Sequence, residues 1–184
     1  TALAYGADEV TAALERRVRE VFEHTSARVF PVTSGTAANA MSLSAMCPPW
    51  GAVVCHHTAH IVVNEGDKTS LLSSGAVMRG VGGPDHRVSA DTLRAELAAT
   101  RWGDNHQSQP SVLSLTQLTD FGTVYPVDEI SSLSSIAREH HMMVHVDGAR
   151  FANAVVAVGA TPADLTWRAG VDVVSLGSTK NGGA

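Results

Sequence analysis

The sequence predicts an α/β domain of three layers, with a mainly parallel sheet between two layers of helices. Segments of strand and helix character alternate along the 184 residues. The strand segments 142–146 and 171–176 are apolar along nearly their whole length, as in strands covered on both faces. Apolar residues make up 44% of the chain and charged residues 17%, enough for one sizeable core.

Residues 8–24 place Val10, Leu14, Val18, Val21 and Phe22 at helical spacing between charges. Residues 28–32 read as a short strand broken by Pro31. Thr33-Ser34-Gly35-Thr36 then opens a helix over 37–46, which Pro48-Pro49 ends. The β-branched stretches 52–55, 61–63 and 76–81 read as strands separated by glycine-rich turns. Ser89 is placed to cap a helix over 89–100. A polar loop follows at 101–111, a strand at 112–115 and a helix at 127–141. The strand 142–146 ends in Asp147-Gly148-Ala149-Arg150 and leads into a helix reaching about residue 159. The last strand, 171–176, runs into Gly177-Ser178-Thr179-Lys180-Asn181-Gly182-Gly183. No internal repeat or low-complexity segment is present.

The formal charge of −5 offers no electrostatic attraction for nucleic acid or an anionic membrane. No apolar run reaches the roughly 18 residues of a membrane span. Two cysteines, Cys47 and Cys55, are too few for a disulfide framework and suit a reducing compartment, so the expectation is a soluble, cytoplasmic protein. The chain begins at Thr1 and stops at Ala184 directly after a glycine-rich motif, which reads as a fragment cut at both ends.

In open parallel sheets, ligands gather beyond the carboxyl ends of the strands. Ser34-Gly35-Thr36, Asp147, Arg150 and Lys180 all fall there or at a helix start. Each has two readings. Ser34-Gly35-Thr36 is a capping turn, or a place where backbone N–H groups and the helix dipole hold an anion. Asp147, deep at a strand end, needs a cationic partner: either Arg150 or a protonated ring nitrogen of a bound cofactor. Lys180 is a solvated loop lysine, or an amine desolvated enough to form a Schiff base. His56, His57 and His60 crowd together beside Cys55 and near Glu65. That cluster offers a metal site, a ring to stack on a planar cofactor, or plain packing. His140, His141 and His145 read as helix-end and strand packing.

Taken together and in order, these pieces resemble the threonine aldolases, in the β-eliminating lyase group of fold type I pyridoxal-phosphate enzymes. The resemblance covers nearly the whole chain. It runs through Ser34-Gly35-Thr36-Ala37-Ala38-Asn39, Ala59-His60-Ile61 with Glu65, and Leu118-Thr119-Asp120-Phe121-Gly122-Thr123-Val124-Tyr125. It continues in His145-Val146-Asp147-Gly148-Ala149-Arg150-Phe151-Ala152-Asn153-Ala154, in Gly170-Val171-Asp172, and in Ser175-Leu176-Gly177-Ser178-Thr179-Lys180-Asn181-Gly182. The resemblance implies a fold type I large domain binding pyridoxal 5'-phosphate. Ser34, Gly35 and Thr36 would hold the phosphate, His60 would stack on the ring, and Asp147 would pair with the ring nitrogen. Arg150 would contact the phenolic oxygen or the substrate carboxylate, and Lys180 would be the Schiff-base lysine.

The implied reaction is reversible cleavage of threonine, or a related β-hydroxy-α-amino acid, to glycine and an aldehyde. His60, with or without Glu65, is the candidate for proton handling. The implied assembly is a homodimer or homotetramer. Ser178 stands where the family commonly has a second glycine. The family's amino-terminal serine loop is absent from these residues, as is its small carboxyl-terminal domain with a further arginine. Three other readings of the residues are another fold type I enzyme acting on amino acids (a β-eliminating lyase or racemase), a metal-dependent hydrolase using the Cys55–Glu65 cluster, and a scaffold without turnover.

Overall fold

Strands without a polar face must be covered on both sides. The three inner strands of the sheet are buried along nearly their whole length, whereas the two edge strands, 171–176 among them, are only partly covered. A computed structural model describes residues 6–183. The helices are α1 (Glu9–Val21), α2 (Gly35–Met46), α3 (His60–Val63), α4 (Lys68–Leu72), α5 (Ala90–Ala99), α6 (Val127–Glu139) and α7 (Phe151–Val158). The strands are β1 (Gly51–His56), β2 (Val77–Val81), β3 (Gln109–Thr116), β4 (Met143–Gly148) and β5 (Val173–Leu176). They form one sheet in the order β2-β1-β3-β4-β5, and every pair is parallel.

Side chains along a strand alternate between the two faces, so each strand feeds two cores. On one face Val54, Leu113, Leu115, Val144 and Val146 pack with Leu93 and Leu97 of α5 and Ile130 and Leu133 of α6. On the other, Val53, Cys55 and Val112 pack against Leu43 and Cys47 at the α2 end of the fold. Each fully buried Leu or Val of this kind stabilises the fold by about 1.5–3 kcal/mol relative to exposure. Local signals agree with the packing. Asp8 caps α1 by accepting from Thr11 N at 2.9 Å. Ser89 and Thr92 close a reciprocal capping box on α5. Gly159 ends α7 at φ 70°, a backbone conformation that glycine takes without strain.

Two expected strands are absent. Residues 28–32 carry no ladder: Pro31 has no N–H to donate, and Phe30 is 77% exposed. Residues 61–63 lie in α3, because β1 is already flanked by β2 and β3 and leaves no edge for them. Their β-branched side chains favour a strand, but a strand without a neighbour does not form. The short helix α4 carried no sequence signal used above. Among the described residues no helix is long and apolar enough to cross a membrane.

His145 is a buried polar element of the core, as its place among apolar strand residues led us to expect. Its Nδ1 is 2.9 Å from Ser114 Oγ and its Nε2 3.0 Å from Ser175 Oγ, so hydroxyls on both neighbouring strands satisfy the ring. Burial holds its pKa below the ordinary 6.5. The unfolded chain therefore binds a proton near pH 6 that the folded chain refuses. Stability from this group is present above pH 6.5 and is lost as the pH falls below it, by at most about 1.4 kcal/mol per pH unit. Chemical denaturation at pH 7 and pH 5 should show that loss, and His145→Gln should show a shallower dependence over the same interval.

Candidate active site

Sheet register sets the site. Thr116, Asp147 and Ser175 stand in one row across β3, β4 and β5 at the strands' carboxyl ends. The first turn of α2 lies over that end, packed against β4 and β5. Between them is a cavity of about 200 Å³. Gly35, Thr36 and Asn39 line it from α2, His60 and Glu65 from the segment after β1, and Asp147 from β4. Ser175, Thr179 and Lys180 complete the wall from β5 and the turn beyond it.

The floor of the cavity is acidic and buried. Asp147 is 2% exposed and Glu65 1%. One side chain serves both: Asn39 Nδ2 donates to Asp147 Oδ2 at 3.0 Å and to Glu65 Oε1 at 3.0 Å. Ala149 N donates to Asp147 Oδ1 at 3.1 Å. Burial raises the Glu65 pKa above its ordinary 4.5; the Asn39 hydrogen bond opposes that rise and the Asp147 charge adds to it. Among the described residues, Glu65 Oε2 and Asn39 Oδ1 are buried without any partner. A buried acidic floor of this kind fits a ligand that presents a cationic N–H, such as a protonated pyridine nitrogen. At the cavity's upper wall, a Cβ added to Gly35 would meet nothing within 4 Å. The space beside the unpaired N–H groups of α2's first turn is thus open to an anion. The residues present fit pyridoxal phosphate at both ends.

The structure brings five of the expected residues into this cavity: Gly35, Thr36, His60, Asp147 and Lys180. Two stand apart. Ser34 is spent as the cap of α2, its Oγ accepting from Ala37 N at 3.1 Å, and does not line the cavity. Arg150 does not line it either, and its partner is not Asp147: the guanidinium is bonded to Asp120. Lys180 sits in a 3₁₀ turn, Thr179–Asn181, whose backbone Asn153 Nδ2 ties to α7 by donating to Lys180 O at 3.0 Å. Its side chain is exposed, so in these residues burial does not supply the desolvation expected of it.

The Cys55–Glu65 metal reading fails on geometry. Cys55 points into the core, where burial pushes its thiol up to about 12. His56 and His57 pack together, ring centroids 4.2 Å apart. Among the described residues, no three His, Cys, Asp or Glu side chains converge as a metal group.

Sequence reasoning assigned no role to two residues that the structure makes central. Asn39 lies four residues, one helical turn, after Gly35, so helix periodicity places both on the same face. Asp120 lies in a turn after β3, and nothing in its local sequence says that it meets His60 and Arg150.

Comparison with known proteins bears on what this cavity holds. The family model described as "Beta-eliminating lyase" matches residues 2–184. A protein of a Pseudomonas species named "Low specificity L-threonine aldolase" is 39% identical over 97% of this chain and 51% of its own length. One of the same name from Pseudomonas aeruginosa is also 39% identical over the same shares. Among solved structures, a threonine aldolase from Leishmania major superposes with a TM-score of 0.81 at 26% identity, covering 90% of this chain and 48% of that one. The chain spans about half the length of the curated relatives it matches.

Removing the shared donor should expose the cost of the acidic floor. Asn39→Leu leaves carboxylate oxygens of Glu65 and Asp147 buried without it, which costs about 1–3 kcal/mol for each unsatisfied group. Adding Glu65→Leu to that variant should restore part of the loss, since it removes one of the stranded acceptors. Urea denaturation of the wild type, the two single variants and the double variant measures the coupling.

Proposed function

The chain belongs to the beta-eliminating lyase family, and from that premise we propose that it is the cofactor-binding part of a pyridoxal-phosphate aldolase. In this reading residues 1–184 form the large domain of a longer protein, and the substrate is threonine or a related β-hydroxy-α-amino acid. The products are glycine and an aldehyde. The observation that carries the reading is Asp147, a buried carboxylate in a cavity also lined by Lys180 and the open first turn of α2. The relatives named as threonine aldolases, together with the superposition on a solved threonine aldolase, support the choice of reaction.

The residues divide the work as follows. Asp147 would pair with the ring nitrogen and favour its protonated form, and Asn39 holds Asp147 in place. Gly35 and Thr36, at the start of α2, would receive the phosphate. Lys180, which lines the cavity, would hold the cofactor through its amine. When bound, pyridoxal phosphate supplies an electron sink for the pair released as the Cα–Cβ bond breaks. His60 lies on the cavity wall, where it can flank the ring and accept the proton of the substrate's β-hydroxyl. Arg150 would be the cation for the substrate carboxylate, once it exchanges Asp120 for that group.

Product analysis with threonine tests the reaction: glycine and acetaldehyde should appear together and in equal amounts. Ketobutyrate and ammonia, or the epimer of threonine, would point instead to elimination or racemisation. Lys180→Ala should abolish both turnover and the visible-edge absorbance of the bound cofactor. Asp147→Asn keeps the side chain's shape but removes its charge, and should slow threonine cleavage by a factor on the order of 10² or more. An Asp147→Asn protein with the wild-type rate would remove the ring-nitrogen assignment.

A further inference from the structure

At the edge of the site one carboxylate is shared between two groups expected to act there. Asp120 Oδ2 lies 3.1 Å from His60 Nδ1, and Asp120 Oδ1 is bonded to the Arg150 guanidinium. The three residues come from the segments that follow β3, β1 and β4. His60 lines the cavity and Asp120 does not, so Asp120 stands behind the imidazole rather than against a bound substrate.

The loop that carries Asp120 is closed at its base. Gln117 is buried, its Nε2 donating to Tyr125 O at 2.8 Å while its Oε1 accepts from Tyr125 N at 2.9 Å. Thr119 N donates to Thr123 O at 3.0 Å, and Gly122 N to Thr119 O at 3.0 Å. The Tyr125 hydroxyl accepts from Val88 N at 2.7 Å, which anchors the loop to the chain before α5. A side chain on a loop tied in this way holds its direction without help from a ligand.

Burial opposes the Asp120 charge, but the His60 and Arg150 contacts outweigh it and hold its carboxyl below the ordinary 3.8. Near neutral pH the group is therefore a carboxylate, which accepts hydrogen bonds and cannot donate them. A neutral imidazole can sit 3.1 Å from it only with the proton on Nδ1. Asn64 Nδ2 is placed 3.3 Å from that same nitrogen. With the proton on Nδ1, the Asn64 amide presents its oxygen there instead, an exchange that leaves its shape unchanged.

We propose that Asp120 is a positioning residue for the reaction: it fixes His60 as the Nδ1–H tautomer and leaves Nε2 as the acceptor for the proton of the substrate's β-hydroxyl. This rests on the aldolase reading given above. In the step concerned, a proton leaves the hydroxyl oxygen and joins Nε2. The O–H electron pair stays on the oxygen as an alkoxide, and the new imidazolium charge faces Asp120 directly. The same carboxylate also holds Arg150 until a substrate carboxylate takes its place.

Long-range nitrogen–proton NMR of the histidine rings distinguishes the two neutral tautomers. It is to be run on the full chain, free of cofactor and loaded with it, at a pH where His60 is neutral. The wild type should show His60 protonated on Nδ1. Asp120→Asn, whose amide can donate to Nδ1, should move the proton toward Nε2. The same variant should lower kcat for threonine cleavage by about 10²–10⁴-fold, the usual contribution of a positioned base. Asp120→Glu should restore part of both signals. If Asp120 served only to brace Arg150, Asp120→Asn would raise KM and leave kcat and the tautomer unchanged; that result overturns the proposal, as does a wild-type His60 protonated on Nε2. A protein that shows the tautomer switch but never cleaves threonine refutes the aldolase reading and supports the hold of Asp120 on His60.

Discussion

The burial of Asp147 at the end of β4 is the constraint on which the rest of the site depends. A carboxylate taken out of water costs several kcal/mol unless hydrogen bonds and a cation replace the lost solvation. The fold supplies the hydrogen bonds through Asn39 and the Ala149 backbone. Among the described residues no cationic side chain pairs with Asp147, since Arg150, three residues away, turns to Asp120 instead. A second buried acid, Glu65, hangs on the same Asn39 amide. The region is held in an arrangement that a protonated ring nitrogen would complete.

Parallel pairing explains why the groups meet at all. Every strand points the same way, so every crossover begins at the same end of the sheet, and segments distant in sequence converge there. His60 follows β1, Asp120 follows β3, Asp147 ends β4 and Lys180 follows β5. Close packing between β4 and β5 adds to the convergence. A Cβ on Gly148 would lie 2.7 Å from Ser175 O, so a side chain there would push the two strands apart. The opposite face contributes stability rather than chemistry: it is filled by α5 and α6 and carries the larger apolar core.

Polar satisfaction differs sharply between the interior of the sheet and its active end. His145, two residues before Asp147, has hydroxyl partners on both sides and is kept neutral by burial. At the active end, Glu65 Oε2 and Asn39 Oδ1 have no partners among the described residues. Two carboxylates near one amide and two idle acceptors make a poor structural core. They make sense as a surface shaped for something else, in keeping with the tendency of functional sites to carry the strain that the core avoids.

Much of this was legible in the sequence. The alternation of elements and the apolar strands determined a parallel three-layer fold. Ser34 and Ser89 marked helix starts, and the pattern of elements placed Gly35, Thr36, Asp147, Arg150 and Lys180 at strand ends or helix starts, while His60 was reached only through the family resemblance. Those signals are local, arising from side-chain period, capping and turn chemistry, and local signals survive in a single sequence. Two segments were misread for a reason that is not local: 28–32 and 61–63 have strand character but pair with no strand of the sheet. Only the tertiary structure decided the partners. It turned Arg150 to Asp120 rather than Asp147, gave Asn39 to two acids at once, and set Asp120 behind His60. Each of these pairings joins residues between 26 and 108 positions apart. Contacts at that separation are set by sheet register and by which crossovers lie side by side, and no periodicity along the chain records them.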